Sequence, residues 1–550
     1  MMGWNKDLID SAKRAIPHYC NMLDPNKHNI TYFFVKLDKE ESYAFHSEWD
    51  FGDACGRYLD SLICCRLITG DESGREGEEK LKDALRWMHC KDDGLSYRMD
   101  DNEWVKPTAN MFDQRSVLHG LMSWYFENEE QEPLLLIKKL LKGLINIGVE
   151  REDYICYPFM NYKPGMEYPK EIFNKNGFLV DPAHYGGGVL IEPLAIFYEK
   201  TRDEDALYLL KKLTKFIVYH SQSYDEDGSF KSKGRYNDDG HFHSKMGTAA
   251  GIIRYAICID DKELLEWADR VYLWARSMGG SSGWFPEGVA EVGKPALDPE
   301  FEQTIGTFKH SEICCTTDMI HCAVYLSKCG FRDYWDHAEG YLNFLLKAQI
   351  NDVSWAKEVT DRPDTDQYSY RDIPNRYKGA FTGRAQPNDL TNFGKIDTMA
   401  CCCAAGSVGL YRLWDNTITT EAGKTYINFF ISKETPDLDI FSFAPDEGKM
   451  VLKIKKDMHL LIRIPKWLDI SRTKITKDER SYYFSQENGY IDLQIANKGI
   501  SIEMEFPLSE RVISETIAED EYKITWKAGR VIMIDPIGQY MPFYPGGHDV

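Results

Sequence analysis

Thr201-Arg202-Asp203-Glu204 joins two helical patterns, residues 186–201 and 203–221, and leaves room only for a tight turn. Two helices so connected must run antiparallel, side by side. Ile259-Asp260-Asp261 repeats the arrangement between patterns at 246–259 and 261–278. Working outward, apolar spacing and breakers predict further helices near 5–22, 50–69, 74–91, 112–127, 131–147, 315–329, 332–349 and 403–414. Twelve helices in consecutive pairs can close into an (α/α)6 toroid whose inner helices surround a funnel. The irregular stretches 150–185, 222–245, 279–311 and 350–400 then become loops over its mouth, where long loops carry function. No regular repeat supports the competing helical-repeat scaffold.

After Trp414 the period changes. Residues 425–432, 438–444, 451–455, 459–464, 490–496, 500–506, 522–527 and 529–536 are short. Several alternate, and they are punctuated by Pro465, Asn488-Gly489 and Gly499. That pattern predicts an antiparallel β-sandwich. A chain of 550 residues exceeds one ordinary core. The expected division is a catalytic toroid over 1–415 and a sandwich domain over 416–550.

A formal charge of −21 argues against nucleic acid or an anionic membrane surface as partner. No stretch approaches the roughly 18 continuous apolar residues of a membrane span. The N-terminus enters an amphipathic helix without a signal-peptide core. Fourteen scattered cysteines suit a reducing compartment, so the expected location is cytoplasmic. A homo-oligomer is compatible with all of this.

Two tight clusters stand out: Ser311-Glu312-Ile313-Cys314-Cys315 and Met399-Ala400-Cys401-Cys402-Cys403-Ala404-Ala405-Gly406. Thiolate and carboxylate are ordinary Zn²⁺ donors. Each cluster is expected just before a helix, whose N-terminus lowers a nearby thiol's pKa. The arrangement suits one metal held by Glu312, Cys314 and two of the three consecutive cysteines. The plainer reading, small buried hydrophobes, covers most of the other cysteines. A strained vicinal disulfide ranks last.

A helical toroid, a β-sandwich, Glu-x-Cys upstream and a Cys-Cys pair downstream together resemble the zinc-cysteine β-L-arabinofuranosidases of glycoside hydrolase families 127 and 146. Val189-Leu190-Ile191-Glu192-Pro193-Leu194 is similar to that group's His-Leu-Ile-Glu-Ala helix. His337-Ala338-Glu339-Gly340-Tyr341-Leu342-Asn343 is similar to its Glu-Arg-x-Leu-Tyr-Asn helix, and Leu460 to Trp467 to its Leu-Arg-Ile-Pro-x-Trp strand. The resemblance runs from about residue 45 to the C-terminus. It implies Zn²⁺ held by Glu312, Cys314, Cys402 and Cys403, with Cys402 as nucleophile. A Cys401–Cys402 register is the alternative. A retaining, exo-acting hydrolase of a small glycoside or oligosaccharide follows.

The chain departs from the group at two points. The offset of the family's acid lands on Ala296, leaving Glu287, Glu291, Glu300 and Glu302 as candidate acid/base residues, with Glu287 preferred. The family's histidine is Val189 here, and His184 and Tyr185 are candidates to reach the same space. Glu192, Glu339, His243 and Trp284 complete the candidate substrate-binding set, with Asp50, Asp53 and His241 behind them. Two rivals remain: an unsaturated-uronide hydrolase or sugar epimerase in which the metal only braces the funnel, and a non-catalytic carbohydrate-binding protein.

Overall fold

The computed structural model describes residues 4–163, 166, 171–174, 177–231, 240–289, 310–391 and 394–547. Twelve helices of more than ten residues lie among them: α1 (Trp4–Asn21), α2 (Gly52–Thr69), α3 (Arg75–Met88), α4 (Met111–Asn128), α5 (Gln131–Ile147), α6 (Ile191–Thr201), α7 (Glu204–Lys215), α8 (Phe242–Ile259), α9 (Lys262–Arg276), α10 (Ile313–Lys328), α11 (Trp335–Lys347) and α12 (Ala400–Asp415).

The turn at 201–204 forms as its residues dictate. Arg202 ends α6 in the left-handed region (φ 57°), and the Asp203 carboxylate caps α7 by accepting from the Ala206 amide at 2.9 Å. Asp260 (φ 53°) and Asp261, which accepts from Leu264 N–H at 3.1 Å, do the same between α8 and α9.

The even-numbered helices close a ring. α2 packs on α4, α4 on α6, α6 on α8, α8 on α10, α10 on α12, and α12 returns to α2. The odd-numbered helices stand outside, each against an inner neighbour. Inner helices are covered on all sides: α8 buries nearly every residue from Phe242 to Ala256, whereas α3 buries one face through Leu81, Ala84, Leu85 and Met88. Close crossings need glycine. A Cβ on Gly56 would lie 2.2 Å from the Ser116 carbonyl oxygen of α4, and one on Gly251 would lie 2.4 Å from the Glu192 amide of α6. Buried charges on inner helices, among them Asp53, Arg57, Arg115, Glu192 and Asp318, therefore belong to the toroid's interior.

A four-stranded sheet leads into α12, in the order Tyr368–Ser369, Tyr43–Phe45, Phe34–Leu37, Ile396–Met399. Beside it His46 is clamped between Asp50 (Nδ1 to Oδ2, 2.6 Å) and Asp24 (Nε2 to Oδ2, 3.1 Å). Its ring stacks on Tyr32 and Trp104. Burial alone would lower its pKa, but the two carboxylates outweigh that and raise it to about 9. A raised folded-state pKa stabilises fully below the unfolded value of about 6.5 and ceases to do so as pH climbs through 9. The clamp is therefore expected to contribute about 3 kcal/mol at low pH. In urea unfolding, stability should fall between pH 7 and 9.5, and His46→Gln should remove that slope. An unchanged slope in the variant refutes the clamp's role.

The C-terminal region carries a five-stranded sheet, Ile418–Glu421, Lys424–Ile427, Met458–Arg463, Tyr490–Ala496 and Ser485–Glu487 in spatial order. It also carries a six-stranded sheet running from Lys433–Glu434 to Arg480–Ser481. Pairings are antiparallel except Lys424–Ile427 with Met458–Arg463, which is parallel. Two sheets share a core of their own, with Ile427, Leu452, Leu460, Ile462, Ile491 and Met504 in it. The last three strands, Glu510–Ile517, Asp520–Lys527 and Arg530–Asp535, behave differently. They form a separate sheet whose Ile517, Ile524, Trp526, Val531 and Ile534 join the toroid's core. The toroid and the sandwich also share a polar joint. Arg463 pairs with Glu339 and with Asp336 (2.9 Å), and Trp467 Nε1–H donates to Glu339 at 3.0 Å. Glu339 thus lies at the seam on outer helix α11, not in the funnel as its sequence position suggests. A face that needs an acid and apolar residues can be covered by a second domain as well as by a funnel.

Candidate metal centre

Two short strands deliver the ligands. Ser311–Glu312 pairs with Arg384–Ala385, setting Glu312 opposite Arg384, and runs straight into α10. Ile396–Met399 pairs with Phe34–Leu37, and the Ala400 amide donates to Phe33 O at 2.8 Å as α12 begins. The helices start two and three residues earlier than the apolar pattern suggests. Cys314, Cys401 and Cys402 consequently lie within first turns, where unpaired amides favour negative charge.

Glu312, Cys314, Cys401 and Cys402 come together, each offering one donor atom, all within 4.8 Å of one another. All four are buried. Cys314 Sγ lies 3.8 Å from Cys402 Sγ, Cys401 Sγ 3.7 Å from Cys402 Sγ, and Cys402 Sγ 3.5 Å from Glu312 Oε1. This group could hold a metal ion. Cys403, a ligand in the preferred sequence register, is not among them. Successive helical residues turn by about 100°, so with α12 beginning at Ala400 only two of three consecutive side chains face α10. Cys403 Sγ instead meets Tyr377 OH at 2.8 Å and donates to Phe381 O at 3.3 Å. Burial pushes its thiol up to about 12. The Cys401–Cys402 register is the one the fold presents.

The thiols differ. Hydrogen bonds from Cys314 and Cys402 lower Cys401 to about 7, while burial raises Cys314 and Cys402 well above the ordinary thiol range. Cys401 is 6 % exposed and Cys402 fully enclosed. Arg57 of α2 is close enough to Cys314 and Cys401 for their charges to interact. It is held by Asp53 (2.7 Å) and Ser116 (3.3 Å) and donates to His243 Nε2 at 3.1 Å. His243 Nδ1 faces Asp318 at 2.5 Å, so both ring nitrogens are engaged, and burial keeps the ring neutral, pushed down to about 3. His243 lies on α8, which starts four residues before the predicted helix, and so reaches the interior beneath the thiols.

Around the ligands, His241 Nε2 is 3.0 Å from Glu312 Oε2 and Nδ1 is 2.8 Å from Ser244 Oγ. His184 stacks on Tyr185 (centroids 4.0 Å apart) and lies 4.8 Å from the His241 ring; both residues are half-buried. Glu192 is further inside, bound by His321 Nδ1 at 2.8 Å and Tyr325 OH at 3.1 Å. Trp284 is fully buried and donates its Nε1–H to Ala385 O at 3.0 Å, so it is a core residue and offers no face to a ligand.

Glu287 reaches the neighbourhood through its backbone: its amide donates to His310 O at 3.1 Å and its carbonyl accepts from Phe242 N–H at 2.9 Å. Its carboxylate does not suit a general acid. Arg384 donates to both oxygens at 2.9 Å and His310 Nε2 lies 2.6 Å away. Burial alone would raise its pKa, but the Arg384 guanidinium and the hydrogen bond to His310 hold it well below the usual carboxylate range. Glu291, Glu300 and Glu302 lie outside the described residues. Arg57, Arg115, Arg384, His310, Asp318 and Tyr377 were not singled out by the sequence pattern; a charge inside an apolar helical run, as at Arg57, was the available signal.

Neither a protein-family model nor a curated protein matches the chain. Solved structures do. A GH127 β-arabinofuranosidase superposes with a TM-score of 0.62 at 13% identity, over 96% of this chain and 83% of that one. A GH127 β-L-arabinofuranosidase from Geobacillus stearothermophilus T6 gives 0.62 at 12% identity, over 96% and 85%. A cellobiose 2-epimerase from Bacillus thermoamylovorans gives 0.50 at 11%, over 74% of this chain and 97% of that one. At such identities the likeness establishes a shared fold, and a fold hosts many reactions.

Proposed function

We propose that the chain is a retaining, exo-acting glycoside hydrolase with a zinc-bound cysteine nucleophile, acting on a small glycoside by the route that its resemblance to the β-L-arabinofuranosidases implies. The carrying observation is the spacing of the donor atoms. Tetrahedral Zn²⁺ with Zn–S of about 2.3 Å and Zn–O of about 2.0–2.2 Å has S···S edges of roughly 3.8 Å and S···O edges of roughly 3.6 Å. The sulfur separations here are 3.8 and 3.7 Å, and the sulfur–oxygen separation is 3.5 Å. Likeness in fold to GH127 β-arabinofuranosidases over nearly the whole chain supports the same reading.

When bound, the ion keeps its sulfur ligands as thiolates at neutral pH. Cys401, first of the facing pair and the more accessible, takes the nucleophile's place that the family pattern in its other register gives to Cys402. Its sulfur attacks the anomeric carbon; the C–O bond breaks, and the leaving oxygen takes a proton from a carboxylic acid. Water then attacks the same carbon, the C–S bond breaks, and the carboxylate receives the water's proton. Two displacements retain the configuration. Arg57 balances the charge of the departing thiolate. His241 orients Glu312, and His184 and Tyr185 line the approach.

Glu287 is committed to Arg384, which leaves Glu291, Glu300 and Glu302 as the candidate proton donors. A screen of nitrophenyl glycosides across Glu→Gln variants at 287, 291, 300 and 302 tests this. The true acid should lose at least about 100-fold on poor leaving groups and far less on activated phenols. Glu287→Gln should lose activity equally on both, because it frees Arg384 without removing a proton. A flat response at 291, 300 and 302 rejects all three glutamates, and no turnover of any glycoside by wild type rejects the hydrolase.

A further inference from the structure

Arg115 is the guanidinium that the proposed reaction leaves unexplained. It lies on inner helix α4, its side chain 6 % exposed. Among the described residues it has no ion pair or hydrogen bond, and its buried Nε has no partner at all. Its guanidinium lies 5.8 Å from the centre of the Phe112 ring. Every other arginine near the metal centre is anchored: Arg57 by Asp53, Arg384 by Glu287. Leaving a buried cation without a hydrogen-bonded anion is costly, and an anionic ligand would relieve that cost.

Its position ties it to the candidate metal centre. Phe112 carries Arg115 on one side and Arg57 at 5.3 Å on another. The same ring meets His184 edge-on at 4.6 Å and His243 at 6.1 Å. Arg57 in turn adjoins Cys314 and Cys401. Arg115 is thus one aromatic ring away from His184, His243 and Arg57. Burial and the neighbouring Arg57 charge lower its pKa, and Glu192 and Asp318 oppose them without pairing with it. Further in, His119 Nε2 and His321 Nε2 are also buried and without hydrogen-bond partners among the described residues.

We infer that Arg115 receives the carboxylate of an acidic sugar, so that the substrate of this site is a uronic-acid-type glycoside instead of a neutral pentoside. A guanidinium presents paired N–H donors that match a carboxylate, and neither a hydroxyl nor a ring oxygen satisfies both. The inference rests on the hydrolase reading for the word substrate, but binding alone tests it.

Thermal unfolding and calorimetric titration of the full chain are compared with D-galacturonate, D-glucuronate, the neutral D-galactose and D-glucose, and sodium acetate. At least one uronate should bind at least tenfold more tightly than its neutral partner and than acetate, and raise the unfolding midpoint. That preference should vanish in Arg115→Gln. Arg115→Lys, which keeps charge but loses the paired donors, should weaken uronate at least tenfold and serves if the glutamine variant does not fold. Equal binding of uronate and neutral sugar, no binding of either, or unchanged preference in the folded variants would overturn the assignment. Acetate binding as tightly as the uronates would overturn the sugar and leave a plain anion site. Because no turnover is measured, failure here leaves the thiolate mechanism standing, and uronate binding by an inactive chain leaves this inference standing.

Discussion

Cys401→Ser is expected to abolish turnover, by at least about 10³-fold per metal-loaded molecule, because a serine hydroxyl stays protonated at pH 7 and cannot replace a thiolate. Metal content alone does not separate Cys401 from Cys402, since both contribute to the donor group. Chemistry at carbon does. A slow glycoside trapped by acid quench, or a haloacetamide-bearing sugar, should leave its mass on the peptide containing Cys401 to Cys403, and fragmentation should place it on Cys401. Cys403→Ser is the informative partner experiment. That thiol turns toward Tyr377 and Phe381, so the variant should keep its metal and turn over near the wild-type rate. Mass on Cys402 would return the nucleophile to the other register. If no sugar is ever trapped and metal-loaded Cys401→Ser still works, the thiolate mechanism is wrong and the metal is a brace.

Metal loading should depend steeply on pH. Burial keeps Cys314 and Cys402 protonated in the metal-free chain, and Cys401 sits near 7. Binding at pH 7 must then release two to three protons, and affinity should fall by about a hundred- to a thousandfold per unit of acidification. Competition with a chelator at pH 6, 7 and 8 measures this directly. X-ray absorption on the loaded protein should report three sulfur neighbours and one oxygen. At metal a thousandfold above its Kd the folded state gains about 4 kcal/mol, so chelation should lower the unfolding midpoint. A pH-independent affinity, or nitrogen and oxygen neighbours only, refutes the assigned ligands.

Much of this architecture is written in local patterns. Tight turns such as 201–204 force helix pairs, and an even succession of pairs closes a ring; α6–α7 and α8–α9 form as those turns predict, with Asp203 and Asp261 as caps. Polar strands are harder to read. Glu510–Ile517 alternates only weakly, because most of its residues face solvent, and Ile418–Glu421 is similarly exposed. At the metal centre, the cysteine runs and Glu312 announce themselves by chemistry. Which two of three cysteines point inward depends on where α12 starts, and that start is set by a strand paired with Phe34–Leu37, far away in sequence. Trp284 and Glu339 show the opposite failure. Each has the residue type of a sugar contact, yet one packs behind Ala385 and the other is taken by Arg463. Residue type names a capability, and the long-range partner decides its use.

The ring also imposes an order on biosynthesis. Cys314 and Cys402 are separated by 88 residues, which a ribosome takes roughly 4 to 18 seconds to add at about 5–20 residues per second. During that interval the nascent chain carries half a donor set on α10, and the flanks of α2 and α10 that α12 will fill lie open. The ion can be captured only after the last inner helix slots between the first and the fifth. A chain stalled before residue 400 therefore presents an apolar cleft and orphan thiols to chaperones and oxidants, and the finished centre certifies that the circle has been completed.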